Sequence, residues 1–136
     1  MIRNLILLCL AIVFLGCTAT ASKATAQQPE RNTVTSKEVP FPTDLTEYLV
    51  RLNGVRVIGS GVAAQITIRG QISMQQGAND PLYVLNGNPI GRDYSQIFSS
   101  VNPDDIAEVR VLKGGDETAM YGMRGAAGVI EITLKQ

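Results

Sequence analysis

The sequence predicts a small α+β domain of four or five short strands and two or three short helices. Three observations carry this. Residues 64–69 alternate, with Ala64, Ile66 and Ile68 on one face and Gln65, Thr67 and Arg69 on the other. Leu45, Leu49 and Leu52 recur at helical spacing. The chain holds 13 glycines, most of them after Asn53, as short strands joined by tight turns require.

The elements follow in order. Thr43 or Asp44 caps a helix, with Glu47 near its third position as in a capping box. Tyr48 lies beside the leucine stripe, and Asn53-Gly54 ends the helix. A strand starts at Val55-Arg56-Val57-Ile58, and Gly59-Ser60-Gly61 turns the chain into the alternating strand. A polar loop at 70–80 contains Gln71, Gln75, Gln76 and Asn79. Residues 81–85 are a compact apolar strand closed by Asn86-Gly87, a strong turn signal. Residues 90–100 read as irregular, with one helical turn near 95–98. Asn102-Pro103-Asp104-Asp105 caps a short turn: proline suits the first helical position and acids suit the helix N-terminus. A strand over 106–113 ends at Gly114-Gly115. A short helix over 116–121 ends at Gly122, and a last strand covers 129–134.

The N-terminus is an address. Arg3 precedes an unbroken apolar run of 11 residues, 5–15. A membrane-spanning helix needs about 20 residues, so the run suits a secretory signal. Two cleavage sites compete. Phe14-Leu15-Gly16-Cys17 resembles a lipobox, which would cut a 1–16 signal peptide and leave Cys17 lipidated. Ala24-Thr25-Ala26 suits ordinary signal peptidase. The position of Cys17 just after the apolar run favours the first. Residues 17–42 are polar, show no apolar period, and read as a flexible tether to a folded domain at 43–136. These features predict a lipid-anchored cell-envelope protein facing the periplasm. Cleavage after Ala26 would make it soluble in the periplasm.

Composition excludes several function classes. The 12 basic and 12 acidic residues balance. Loss of the first 26 residues removes Arg3 and Lys23, and leaves no basic patch for nucleic acid. Cys9 and Cys17 are the only cysteines and there is no histidine. The folded part therefore has no disulfide framework, cysteine-ligated zinc or cysteine nucleophile. No serine sits in a Ser-x-x-Lys motif with Lys113 or Lys135. No catalytic residue, metal or cofactor is expected.

Four motifs then resemble one family. They are Ile66-Thr67-Ile68-Arg69-Gly70, the hairpin from Pro81 through Asn86-Gly87 to Ile90, the stretch from Asn102-Pro103 to Lys113-Gly114, and Ala119-Met120-Tyr121-Gly122 followed by Arg124-Gly125-Ala126-Ala127-Gly128-Val129-Ile130. In this order and spacing they resemble the plug domain of TonB-dependent outer-membrane receptors. Their style is that of Bacteroidetes receptors importing glycans and other nutrients. Asn86 stands where the family usually has Asp, and Ala127 where Asn is common.

The resemblance implies a plug-like fold and a transport or binding role, with an outer-membrane barrel or another envelope protein as partner. In such receptors the plug occludes a barrel of about 22 strands. This sequence stops after the plug's last strand, so a stand-alone plug acting in trans is expected, with a truncated or split receptor as the alternative. Arg69 and Arg124 would face either a partner or internal acids at Glu108, Glu131 or Asp116, and internal pairing is the plainer expectation. Arg69, Gln71, Gln75, Gln76, Asn79 and Arg124 are the contact candidates. Gly70, Asn86, Gly87, Gly114, Tyr121, Gly122, Gly125 and Gly128 form the structural motif. Receptors also carry an N-terminal box that pairs with TonB as a strand. Asn32-Thr33-Val34-Thr35-Ser36 faintly resembles one, plain linker being the alternative.

Overall fold

A computed structural model describes residues 32–70 and 79–136. The expected signal peptide, Cys17 and most of the polar loop lie outside the described residues. The main body is a five-stranded mixed sheet in the order β1-β6-β7-β4-β5. Its strands are β1 (Thr33–Thr35), β4 (Leu82–Leu85), β5 (Asn88–Gly91), β6 (Ile106–Leu112) and β7 (Val129–Leu134). β2 (Val55–Ile58) and β3 (Gln65–Ile68) form a separate antiparallel ribbon. Three short α-helices accompany them: α1 (Thr46–Leu49), α2 (Tyr94–Ser100) and α3 (Gly115–Thr118). The α+β class is thus the observed one. No helix among the described residues is long and apolar enough to cross a membrane.

β7 is the spine of the sheet. It pairs antiparallel with β6 and parallel with β4. A central strand is covered on both faces and needs a near-continuous apolar run. Val129, Ile130 and Ile132 accordingly have no exposed surface. One core gathers β6 and β7 residues with Ile66 and Ile68 of the ribbon, Leu45, Tyr48, Leu49 and Leu52 around α1, and Ile97 of α2. A smaller cluster of Leu82, Val84, Leu112 and Val129 packs apart from it.

Seven strands exceed the expected four or five, and both additions are sheet edges. β1 lies within the expected tether. Thr33–Thr35 pairs with Glu108 to Arg110 of β6, and Val34 and Val39 are buried. The tether reading is therefore corrected at residues 33–39. A three-residue strand is too short to show an alternating pattern, and its pairing partner lies some 75 residues on. β5 is the other addition, with Pro89 inside it. Proline lacks a donor N–H and is tolerated on an edge strand. Asn86 and Gly87, at φ 48° and 80°, make the tight turn between β4 and β5.

Two helices also differ from expectation. The first is shorter than the leucine spacing suggests, and Leu45 precedes it without a side-chain cap. Glu47 still reaches back, accepting from the Thr43 N–H at 3.3 Å. The segment read as irregular contains α2, capped by Asp93, which accepts from the Ser95 N–H at 2.9 Å and the Ser95 hydroxyl at 2.7 Å. Tyr94 and Ile97 are its buried face.

Candidate functional site

The family-like motifs converge on one end of the sheet. There β6 ends and β4 and β7 begin side by side, with Leu82 opposite Val129. The Leu82 N–H donates to the Gly128 carbonyl at 3.0 Å. The ribbon arrives at the same place. A Cβ on Gly128 would meet Ile68 Cδ1 at 2.5 Å and the Leu112 carbonyl at 3.2 Å, and Gly128 has φ +89°. Only glycine lets β3, β6 and β7 approach this closely.

Arg69 leaves β3 at this end. Its backbone N–H donates to Gly54 at 2.7 Å, which continues the ribbon register. That register puts its side chain on the same outward face as Arg56 and Thr67. Asn79 is half-buried just before β4, whereas Gln71, Gln75 and Gln76 lie outside the described residues. Arg124 is exposed on the 3₁₀ segment Ala119–Gly125 that leads into β7. Arg69, Asn79 and Arg124 are thus brought to one end of the fold.

The expected internal ion pairs are not formed. Among the described residues, neither the Arg69 nor the Arg124 side chain meets an acid. Glu117 is instead approached by Arg110, at 3.9 Å. In the β6–β7 register Glu108 lies opposite Thr133 and Glu131 opposite Arg110.

Sequence reading missed Arg92. It follows β5 and is half-buried. One guanidinium nitrogen donates to the Met123 carbonyl at 3.3 Å and to the Arg124 carbonyl at 3.0 Å. This fork ties the 3₁₀ segment to the β5–α2 junction. No local signal marks it, because its acceptors are main-chain groups more than 30 residues away. The segment it holds is unusual in backbone. Gly122 adopts φ 53° and ψ −141°. A Cβ on Gly125 would meet Tyr121 Cβ at 3.0 Å and the Thr118 carbonyl at 3.1 Å. Gly114 starts α3, where its N–H reaches Glu117 at 3.4 Å and its carbonyl accepts from the Thr118 hydroxyl at 3.1 Å.

A hollow of about 420 Å³ opens beside this end, between Val62 to Ile66 and the Arg92–Ser95 corner, with Asp80 on its rim. Tyr83 and Tyr94 form its floor, their rings 5.9 Å apart and tilted by 46°. Burial raises both phenols above their ordinary range, most strongly at Tyr83. The Tyr94 hydroxyl also meets the Thr46 hydroxyl at 3.0 Å. The hollow thus has charged and hydrogen-bonding groups on its rim and neutral phenols below.

The opposite end carries Asn86. Its side-chain oxygen accepts from the Leu134 N–H at 2.9 Å, and its own N–H donates to Ile132 at 2.9 Å. It therefore fastens β7 to the β4–β5 turn. Asn fills this role as an uncharged acceptor that tolerates positive φ.

Comparison with known proteins agrees with this geometry. The model of the TonB-dependent receptor plug domain matches residues 23–129. The chain is 42% identical over 94 residues to the TonB-dependent receptor SusC of Bacteroides thetaiotaomicron, covering 63% of this chain and 9% of that protein. It is 37% identical over 75 residues to TonB-dependent receptor P26 of Formosa agariphila, covering 55% and 7%. Among solved structures, the RagAB peptide importer in its open-open state superposes with a TM-score of 0.62 at 28% identity, over 76% of this chain and 12% of that one. A ferric enterobactin receptor from Pseudomonas aeruginosa gives 0.60 at 26% identity, over 82% and 18%. The chain spans about a tenth or less of the length of four curated TonB-dependent receptors that it resembles. With its motifs converging on one sheet end and this match across most of its length, the chain belongs to the TonB-dependent receptor plug domain family.

Proposed function

We propose that this plug domain serves nutrient uptake at the outer membrane by engaging a β-barrel supplied in trans, or another envelope partner, through the Arg69–Arg124 end of its sheet. The observation that carries this reading is the exposure, at the end where the family motifs meet, of two arginines that meet no acid among the described residues. A guanidinium without an internal carboxylate is available for bidentate pairing across an interface. Relatives whose names specify a cargo take peptides or ferric enterobactin. Photo-crosslinkers placed at positions 69 and 124 in native envelopes test the reading. Capture of an outer-membrane barrel supports it. Crosslinks confined to the domain itself, with no envelope protein recovered, overturn it.

The leader adds a second element. A lipidated Cys17 would hold the domain at the membrane, each buried methylene contributing roughly 0.8 kcal/mol. Intact mass and detergent partitioning of the native protein test this. An acylated N-terminus at Cys17 supports the anchor, and an unmodified start near Gln27 removes it. The small share of its relatives that the chain spans favours one alternative, a piece of a split or truncated receptor without a role of its own. A barrel reading frame directly downstream would support that version.

A further inference from the structure

We propose that Asn86 is a self-modifying site, at which the chain deamidates through a cyclic imide formed with Gly87. The chain holds two Asn-Gly pairs, Asn53-Gly54 and Asn86-Gly87. Glycine has no side chain, so its amide nitrogen can close on the preceding side-chain carbonyl with little steric hindrance. Both pairs share that chemistry, and the structure separates them.

Ring closure needs an accessible turn, a polarised Cγ and a peptide plane able to rotate. Asn86 and Gly87 are exposed at the tip between β4 and β5, and nothing lies within 4 Å of a Cβ built on Gly87. The Asn86 Oδ1 accepts from the Leu134 N–H at 2.9 Å. As the Gly87 nitrogen attacks Cγ, negative charge develops on that oxygen, where a backbone donor already stands. The plane that must turn joins Asn86 to Gly87. Its carbonyl meets the Asn88 Nδ2 at 3.5 Å, beyond the usual hydrogen-bond range, so little resists the rotation. The Asn53–Gly54 plane is held instead. The Lys113 ammonium donates to the Asn53 carbonyl at 3.0 Å, and the Gly54 carbonyl accepts from the Arg69 N–H at 2.7 Å. The Lys113 side chain also lies over Gly54, with Nζ 2.9 Å from the place of a Cβ.

Hydroxide takes the Gly87 amide proton, the Gly87 N–Cγ bond forms, the Cγ–Nδ2 bond breaks, and ammonia leaves with a proton from water. Water then opens the ring, and nothing is oxidised or reduced. Addition at Cγ gives aspartate, and addition at the main-chain carbonyl gives isoaspartate. Aspartate keeps an oxygen for the Leu134 N–H. Isoaspartate lengthens the main chain by a methylene in a turn closed by two successive positive φ angles, 48° and 80°, and strains the β4–β5 register.

The test holds the mature protein, purified from envelopes, folded in mildly alkaline buffer. Peptide mapping by mass spectrometry follows amide-to-acid conversion at each asparagine, and electron-transfer fragmentation distinguishes the two products. Conversion at Asn86 is expected to be at least ~5-fold faster than at Asn53, with the difference lost in urea. Gly87→Ala slows it by ~10-fold or more, because a methyl group obstructs the nucleophile. The aspartate form keeps the urea midpoint of the starting protein, and the isoaspartate form unfolds at lower urea. Conversion at Asn86 no faster than at Asn53 in the folded protein overturns the proposal. So does an Asn86 that stays intact in the folded protein while the urea-unfolded chain converts, and neither result needs a variant to fold.

Discussion

Gly128 offers the sharpest test of how the ribbon is fastened to the sheet. Its φ of +89° and that of Gly87 at +80° are nearly alike. Alanine at either position meets the same left-handed penalty, about 1–2 kcal/mol. A smaller unfolded ensemble offsets this by about 0.4–1 kcal/mol. Space separates the two sites: nothing lies within 4 Å of a Cβ at Gly87. At Gly128 it would meet Ile68 Cδ1 at 2.5 Å and the Leu112 carbonyl at 3.2 Å. The isoleucine end can rotate, but the carbonyl belongs to β6 and cannot. Overpacking of this kind costs about 1–3 kcal/mol. Gly87→Ala should therefore cost about 1 kcal/mol, and Gly128→Ala about 2–4 kcal/mol. Urea unfolding followed by circular dichroism measures the difference as a shift in midpoint at common slope. Equal losses for the two variants would refute the argument that ribbon, β6 and β7 meet too closely for a methyl group.

Four further outcomes are expected. Arg92→Ala should cost about 1 kcal/mol, since its two bonds are charge-assisted but solvent-accessible. It should also speed amide exchange around residues 123–125, whereas unchanged exchange there would mean the fork does not hold the segment. Asn86→Asp should be nearly neutral, because the acceptor for Leu134 survives, while Asn86→Ala should cost about 1–2 kcal/mol by losing both the acceptor and positive-φ tolerance. Arg69→Gln and Arg124→Gln should change stability by less than about 0.5 kcal/mol, since neither side chain meets an acid among the described residues. Both should weaken recovery of the envelope partner. Stability should hold up to about pH 10, the ordinary tyrosine range, and fall above it. The sign follows from the raised phenols of Tyr83, Tyr94 and Tyr48. The folded state keeps protons that the unfolded state releases at alkaline pH, so unfolding is favoured as pH rises. Tyr83→Phe should flatten that alkaline slope in a pH series of urea midpoints.

The sequence by itself determined the class, the five interior and ribbon strands, and the family. Those features rest on local signals: alternation at 64–69, the Asn86-Gly87 turn, the proline cap at Pro103, and motifs kept in order along the chain. Asn102 does cap that turn, accepting from the Asp104 N–H at 3.2 Å. Only tertiary structure decided the edges. β1 is three residues long and becomes a strand because β6 offers it a partner, and β5 tolerates Pro89 because its outer side has none. The candidate site divides in the same way. Arg69 and Arg124 were legible as polar residues inside motifs, and Asn79 as part of the polar loop. Their gathering at one sheet end depends on the parallel pairing of β4 with β7, a contact across more than 40 residues. The missing internal ion pairs and the Arg92 fork are long-range facts of the same kind. Periodicity and turn chemistry act over a few residues, whereas strand order and main-chain acceptors are set by burial across the whole domain.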